Sequence, residues 1–357
     1  MGWKPGPPSD DEARAMRSHL VEWLDAGAVG MAAGLEYQPG ALSDVSELVD
    51  LCRVVVGAGG VYAPHQRGYW GRVASGCRES FDIGRRSGVK VHISHLAMDD
   101  AAAGLLEEAQ ASGVDVTFDM YPYSAACTHL LMMLPEWAQA GGYQASMDRV
   151  TSPSERPRLR PETAVRIAER GTLSSVENGE ELEGRSLGDL ANESGSNDVD
   201  FLFDLLAAHA GRALAVYHWP ESVDGDAILA RTIAHPLYMG STDGIYMGSR
   251  PHQRGFGTFA RIVGEHVRGG TLTLEQAVRK VTALPAERFG IHDRGVLKPD
   301  MWADITVFDS GAFADESTWE NPRVSPSGIA HVLVEGEAVV SGGRVTGALP
   351  GRIVGRS

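Results

Sequence analysis

Three residues able to bind a metal or move a proton stand at the ends of apolar runs: His65 in "VYAPH", His95 in "VKVHISH" and Asp243 in "LYMGSTD". Neutral imidazole is a good zinc ligand, and a zinc site with one open position holds water there. Bound zinc brings that water's pKa down to about 7, and a nearby carboxylate can take the proton. Two histidines and a later aspartate therefore suggest metal-assisted hydrolysis. By strand parity His95 shares the side of Val91 and Ile93, whereas His92 faces the other way and reads as structural. After Asp243, "DGIYMGSRPHQRGFGTFARIVGEHVR" sets a basic and aromatic cluster between glycines, in which Arg254 has the fork to grip a carboxylate. Taken singly, each residue has a plainer reading: a hydrogen-bonded strand-end histidine, an ordinary turn at "STDG", or a solvated loop arginine. Cys127 and His129 in "AACTHL" read mainly as loop packing.

Such residues need elements to position them. "SDDEARAMRSHLVEWLDAG" reads as a helix capped by Ser9 or Asp10, followed by "AVGMAAGL" as a small buried strand. The strands "VYAPH", "VKVHISH" and "VDVTFDMYPY" then alternate with "SDVSELVDLCRVVVGAGG", "CRESFDIGRRSG" and "DDAAAGLLEEAQASG" as helices. This is the pattern of a parallel sheet wrapped by helices, where strand C-terminal ends build sites. Regularity lapses from about 124 to 200, which reads as an insertion or lid. Alternation returns with "ALAVYHW" and "LYMGSTDG" as strands, and two helices follow, "GTFARIVGEHVRGG" and "TLEQAVRKVTALPAERFG". After Gly290 short alternating strands with glycine turns indicate a small β element. Five or six βα-type strands are visible, so the α/β body is either an open doubly wound sheet or a barrel without its opening strands.

The chain has 357 residues, 43% of them apolar, enough for a large core. Its net charge of −15 argues against nucleic acid or anionic lipid as the main partner. Three cysteines without a CxxC pair fit a reducing, cytoplasmic setting. No run approaches the ~18 apolar residues that a membrane span needs.

The combination resembles the D-aminoacylase (N-acyl-D-amino-acid deacylase) branch of the metal-dependent amidohydrolase superfamily. The matching stretches include "GAVGMAAGLEYQPGALSDVSELVDLCRVV", "GGVYAPHQR", "VHISHL", "DVTFDMYPYSA", "LPEWAQAGG", "GSTDG" and "RPHQRGFGTFARIVG", with the tail from "DRGVLKPDMWADITVFD" onward. The resemblance implies a (β/α)8 TIM barrel with a small composite β-sandwich. On it, residues 1–290 are a partial barrel with the insertion at about 124–200, and 291–357 are the C-terminal β segment. It gives His65 and His95 the roles of zinc ligands and Asp243 that of the catalytic aspartate. It makes Arg254 the holder of the substrate carboxylate and places Tyr121 near the scissile carbonyl. One zinc ion and a small N-acyl amino acid substrate follow, with a homo-oligomer as a further expectation.

The departures shape that expectation. The family carries an early His-x-His pair and then a bridging cysteine, and this sequence starts downstream of both, so the barrel should lack its first strands and the zinc should be weakly held. The family's lysine two residues past the second histidine is Ala97 here. The rivals are a cyclic amidase of dihydroorotase or hydantoinase type, and an inactive remnant that binds a partner.

Overall fold

The computed structural model describes residues 2–4, 6–69, 71–163 and 171–355. Helix α1 (Asp10–Asp25) starts at Ser9, whose hydroxyl accepts the Glu12 N–H while the Glu12 carboxylate accepts the Ser9 N–H. This reciprocal cap satisfies two donors that a helix start leaves over. Strands β1 (Gly30–Gly34), β2 (Val61–His65), β3 (Lys90–Ile93), β4 (Val116–Met120) and β8 (Tyr238–Gly240) form one parallel sheet in the order β1-β2-β3-β4-β8.

Helices α2 (Val45–Gly57), α3 (Val73–Ser87) and α4 (Asp100–Ala111) make the crossovers between the first four strands. Asp44 and Asp99 cap α2 and α4, and α3 ends on Gly88 at φ +81°, a left-handed stop that glycine adopts without strain. The helices press Leu48, Cys52, Ile83, Leu105 and Leu106 onto Val91, Ile93, Val116 and Phe118 of the sheet. In contrast to the sequence expectation, β1 is only half-buried. Among the described residues it is an edge strand, with β2 as its one sheet neighbour.

A further expectation needs correction. The strand "ALAVYHW" does not join the parallel sheet. It becomes β7 (Ala213–His218), the centre of an antiparallel sheet between β5 (Ala125–His129) and β6 (Gly171–Val176). A buried apolar run looks the same in either kind of sheet, so its partner decides. The stretch read as an insertion packs Leu130, Met133 and Leu173 with Phe203, Leu206 and Tyr217 into a core of its own. Residues 164–170 of that stretch lie outside the described residues.

The C-terminal strands β9 (Ile305–Phe308), β10 (Ile329–Val334), β11 (Glu337–Ser341) and β12 (Arg344–Val345) form an antiparallel sheet in the order β12-β11-β10-β9. The β10–β11 hairpin turns on Glu335 and Gly336, both at positive φ, as a tight hairpin turn requires. The helix read across "TLEQAVRKVTALPAERFG" is two helices, Leu274–Val281 and Ala283–Phe289. Pro285 has no N–H to offer the Val281 carbonyl, so the hydrogen-bond ladder breaks there. Among the described residues no helix is long and apolar enough to cross a membrane.

Candidate active site

The structure brings His65 and His95 together at the C-terminal ends of the adjacent strands β2 and β3. The Nδ1 of His65 faces the Nε2 of His95 at 2.8 Å. Burial first, and the neighbouring His65 second, push the His95 pKa down to about 3. That ring is neutral at any ordinary pH and has a lone pair to give.

His95 reaches this position by a route that strand parity did not foresee. Strand β3 stops at Ile93, and His95 lies beyond it with φ +39°. A left-handed non-glycine residue is held there only when its surroundings over-determine it. Those surroundings are Asp119 on β4, whose Oδ1 accepts the His95 backbone N–H at 2.8 Å. The other oxygen, Oδ2, lies 2.9 Å from His92 Nε2, and His92 Nδ1 lies 2.8 Å from the Thr117 hydroxyl. A carboxylate only accepts, so His92 carries its proton on Nε2, and its Nδ1 accepts a hydrogen bond from the Thr117 hydroxyl. His92 thus fixes the carboxylate that fixes the His95 backbone.

A second group surrounds His65. Glu36, just past β1, places Oε2 3.3 Å from His65 Nε2. Its Oε1 accepts the backbone N–H groups of Gly68 (2.7 Å) and Tyr69 (2.9 Å). The Tyr37 ring lies 4.6 Å from that of His65, and the Tyr69 ring lies 4.7 Å from His65 and 4.6 Å from His95. The Tyr69 hydroxyl donates to the Ser94 carbonyl. Sequence reasoning missed Glu36, Asp119 and Tyr69. The rule that singled out His65, a polar residue at a strand's C-terminal end, finds Glu36 when applied to β1, and Asp119 is the lone acid in β4.

Asp243 and Arg254 form the other side of the site. Asp243 lies three residues past β8 at φ +42°. Arg254 is 1% exposed and opens the helix Arg254–Ala260. Its Nη2 sits 2.8 Å from Asp243 Oδ2. The contact is an ion pair, and among the described residues neither Nη2 nor Nε has a hydrogen-bond partner. The guanidinium carbon lies over the Tyr121 ring, 4.3 Å from its centre. Burial raises the Tyr121 phenol to about 12. The Asp243 carboxylate is 38% exposed at the mouth of the site, yet desolvation by its walls raises its pKa against the opposing pull of Arg254. His65 and Asp119 are close enough for their charges to act on it as well.

His252 sets the start of the Arg254 helix. Its Nε2–H donates to the Ala125 carbonyl at 3.2 Å, and its Nδ1 accepts the Arg254 N–H at 3.0 Å. Farther out, Tyr123 donates to Asp315 at 2.7 Å. Asp315 comes from the β9–β10 loop and approaches the helix so closely that a methyl group at Gly257 would fall 2.0 Å from its carboxylate. Cys127 and His129 are on β5 rather than in a loop. His129 lines a cavity of about 340 Å³ with Tyr37, Gln38, Thr128, Tyr143 and Ile245. Gln38 Oε1 and His129 Nδ1 are buried with no hydrogen-bond partner among the described residues.

The donor chemistry fits a divalent metal in kind: two imidazole nitrogens, 2.8 Å apart. It falls short in number, since catalytic zinc takes three protein ligands. Among the described residues no group of three or more His, Cys, Asp or Glu side chains is gathered closely enough to hold an ion. His65 and His95 stand as a two-ligand hold, with Asp243 across the cleft.

Along most of its length, residues 14–340, the chain matches the amidohydrolase family. It belongs to that family. Within it, the chain is 34% identical over 93% of its length to an N-acyl-D-glutamate deacylase of Alcaligenes xylosoxydans xylosoxydans, and covers 62% of that protein. It is 33% identical over 98% of its length to a D-aminoacylase of the same organism, covering 66% of it. The amidohydrolase chain therefore spans just under two thirds of these relatives. A solved N-acyl-D-glutamate deacylase from Bordetella bronchiseptica, complexed with zinc and a phosphonate mimic of the tetrahedral intermediate, superposes with a TM-score of 0.78. It is 32% identical, and the match covers 93% of this chain and 64% of that one. These likenesses put the chain in the D-aminoacylase branch of the amidohydrolases.

Proposed function

We propose that this chain performs metal-dependent hydrolysis of a linear amide, of the N-acyl-D-amino-acid deacylase type. On this reading the parallel sheet is five strands of a (β/α)8 barrel, and the C-terminal sheet is part of a composite β-sandwich. The observation that carries the reading is the His65 Nδ1 to His95 Nε2 approach of 2.8 Å at the C-terminal ends of neighbouring parallel strands. Matches to deacylases along 93% and 98% of the chain favour a linear amide over a cyclic one.

His65 and His95 would hold one zinc ion, which when bound would polarise a carbonyl and acidify water. Asp243 takes the proton of the attacking water and returns it to the leaving amine, a task suited to a carboxylate whose pKa is raised. Arg254 receives the substrate carboxylate on its guanidinium, whose Nε and Nη2 have no hydrogen-bond partner among the described residues. Tyr121 supports the guanidinium with its ring face. The cavity beside Tyr37 has an uncharged, part-apolar lining for the acyl group or side chain.

The test is turnover of N-acetyl-D-amino acids by zinc-supplemented protein, with His95→Ala and Asp243→Ala beside wild type. The proposal expects turnover in wild type only. Equal rates in all three would overturn it, and ring opening of a hydantoin or dihydroorotate in place of deacylation would favour the cyclic amidase.

A further inference from the structure

Between β9 and β10 the chain makes a loop whose neck is closed. Ala314 and Ser327 bridge there, and the Ser327 N–H donates to the Ala314 carbonyl at 3.0 Å. Beyond the neck the loop braces itself. The Asp315 carboxylate accepts the Ser317 N–H at 2.9 Å, and the Thr318 hydroxyl accepts the Asn321 N–H at 3.0 Å. A surface loop with joined ends and internal hydrogen bonds behaves as a compact unit.

This unit grips the segment that joins Asp243 to Arg254, and it does so at both ends. Arg323 Nη2 donates to the carbonyls of Tyr246 and Gly248, at 2.7 Å each. The Arg250 guanidinium donates in return to the Glu320 carbonyl. Nearer Arg254, the Trp319 ring meets the His252 ring edge-on with centres 5.0 Å apart, and His252 Nδ1 accepts the Arg254 N–H. Asp315 presses on Gly257 of the same helix. The segment needs such holding. It runs from β8 to the helix Arg254–Ala260 as irregular backbone, with Asp243 at φ +42° and Gly248 at φ +73°. The insertion also holds it, through the Ser249 N–H on Glu183 at 2.5 Å.

We propose that Arg323 and Trp319 are positioning residues, through which the β9–β10 loop fixes where Asp243 and Arg254 stand relative to each other. They act through Tyr246, Gly248 and His252. The inference rests on the reading of Asp243 as the proton carrier and Arg254 as the holder of the substrate carboxylate. Those two groups must meet one substrate at the same time, and a misplacement of about 1 Å can cost 10²-fold in rate. Because Glu183 would still hold the segment, loss of one loop contact should cost less, roughly 10-fold.

Arg323→Met keeps an unbranched apolar side chain and removes the donors, and Arg323→Lys returns a donor. Trp319→Ala removes the ring that meets His252. The full chain is compared with these variants in three ways. Hydrogen–deuterium exchange follows the amides of residues 243–258. The carboxylate preference is kcat/KM for an N-acetyl-D-amino acid divided by that for an N-acyl amine without the carboxylate. Urea melting controls for folding.

Exchange should speed up over 244–250 in Arg323→Met and over 252–258 in Trp319→Ala, with β2 and β3 unchanged. The carboxylate preference should fall roughly 10-fold in both, recover in part in Arg323→Lys, and do so with little change in the melting midpoint. A merely structural loop would lower the midpoint and leave the preference alone. Wild-type exchange in both variants, or a wild-type preference in both, would overturn the proposal. A wild type that cleaves no N-acyl amino acid would overturn the deacylase reading instead, and exchange, which needs no turnover, would then decide the role of the loop by itself.

Discussion

The two sides of the site are built by different means. The histidine side comes from one contiguous stretch: Glu36, His65, His95 and Asp119 sit on or just past β1 to β4, and strand register sets their spacing. The aspartate–arginine side follows β8 and is steadied by distant parts of the chain. Tyr121 lies beneath Arg254, His252 fixes its helix start, and Asp315 reaches in from the β9–β10 loop. Rigid neighbouring strands suit a pair of ligands that must keep a fixed separation. A side held by long-range contacts suits a group that must grip substrates and pass protons. Damage to the first side should therefore act on metal, and damage to the second on substrate and proton transfer.

Four perturbations would sharpen or break that division. The largest is Asp243→Asn, which should lower kcat about 10²- to 10⁴-fold with zinc content unchanged. Simultaneous loss of zinc would show that the two sides are one. Next is Arg254→Lys, in which a point charge replaces a fork on a flat aromatic support. Steady-state kinetics should show kcat/KM for an N-acyl amino acid falling roughly 100-fold, mainly through KM. The same change should hardly alter turnover of an N-acyl amine that lacks the carboxylate.

A pH effect comes third. Burial first, and the charge of Arg254 second, hold His252 well below the usual imidazole value of 6.5. As pH falls through 6.5, the unfolded chain takes up this proton and the folded chain does not. Stability from His252 is thus complete above that pH and drains below it. Urea melts from pH 7.5 to 5 should show the decline, with a shallower slope in His252→Gln. Some slope remains in the variant, because His266 is likewise lowered to about 4 by burial. The smallest effect is Tyr123→Phe, which removes the 2.7 Å bond to Asp315. It should cost about 1 kcal/mol in denaturant melts and leave zinc binding untouched.

The same contrast explains what the sequence disclosed. Strand–helix alternation with caps at Ser9, Asp44 and Asp99 made β1 to β4 legible, and the strand-end rule picked out His65 and His95. The period-two argument for His95 did not apply, because the residue lies past the strand in a left-handed turn held by Asp119. Glu36 was legible in principle and passed over. The antiparallel pairing of β7 and the approach of Asp315 to Gly257 were not legible, because both depend on partners far along the chain. Apolar composition marks a run as buried without saying which neighbour buries it.

The most direct test of the central claim is zinc-edge X-ray absorption on the zinc-loaded full chain, wild type beside His95→Ala. The account predicts two imidazole-nitrogen scatterers at about 2.0–2.1 Å in wild type, with one lost and zinc occupancy sharply reduced in the variant. An identical spectrum and occupancy in the two proteins would contradict it.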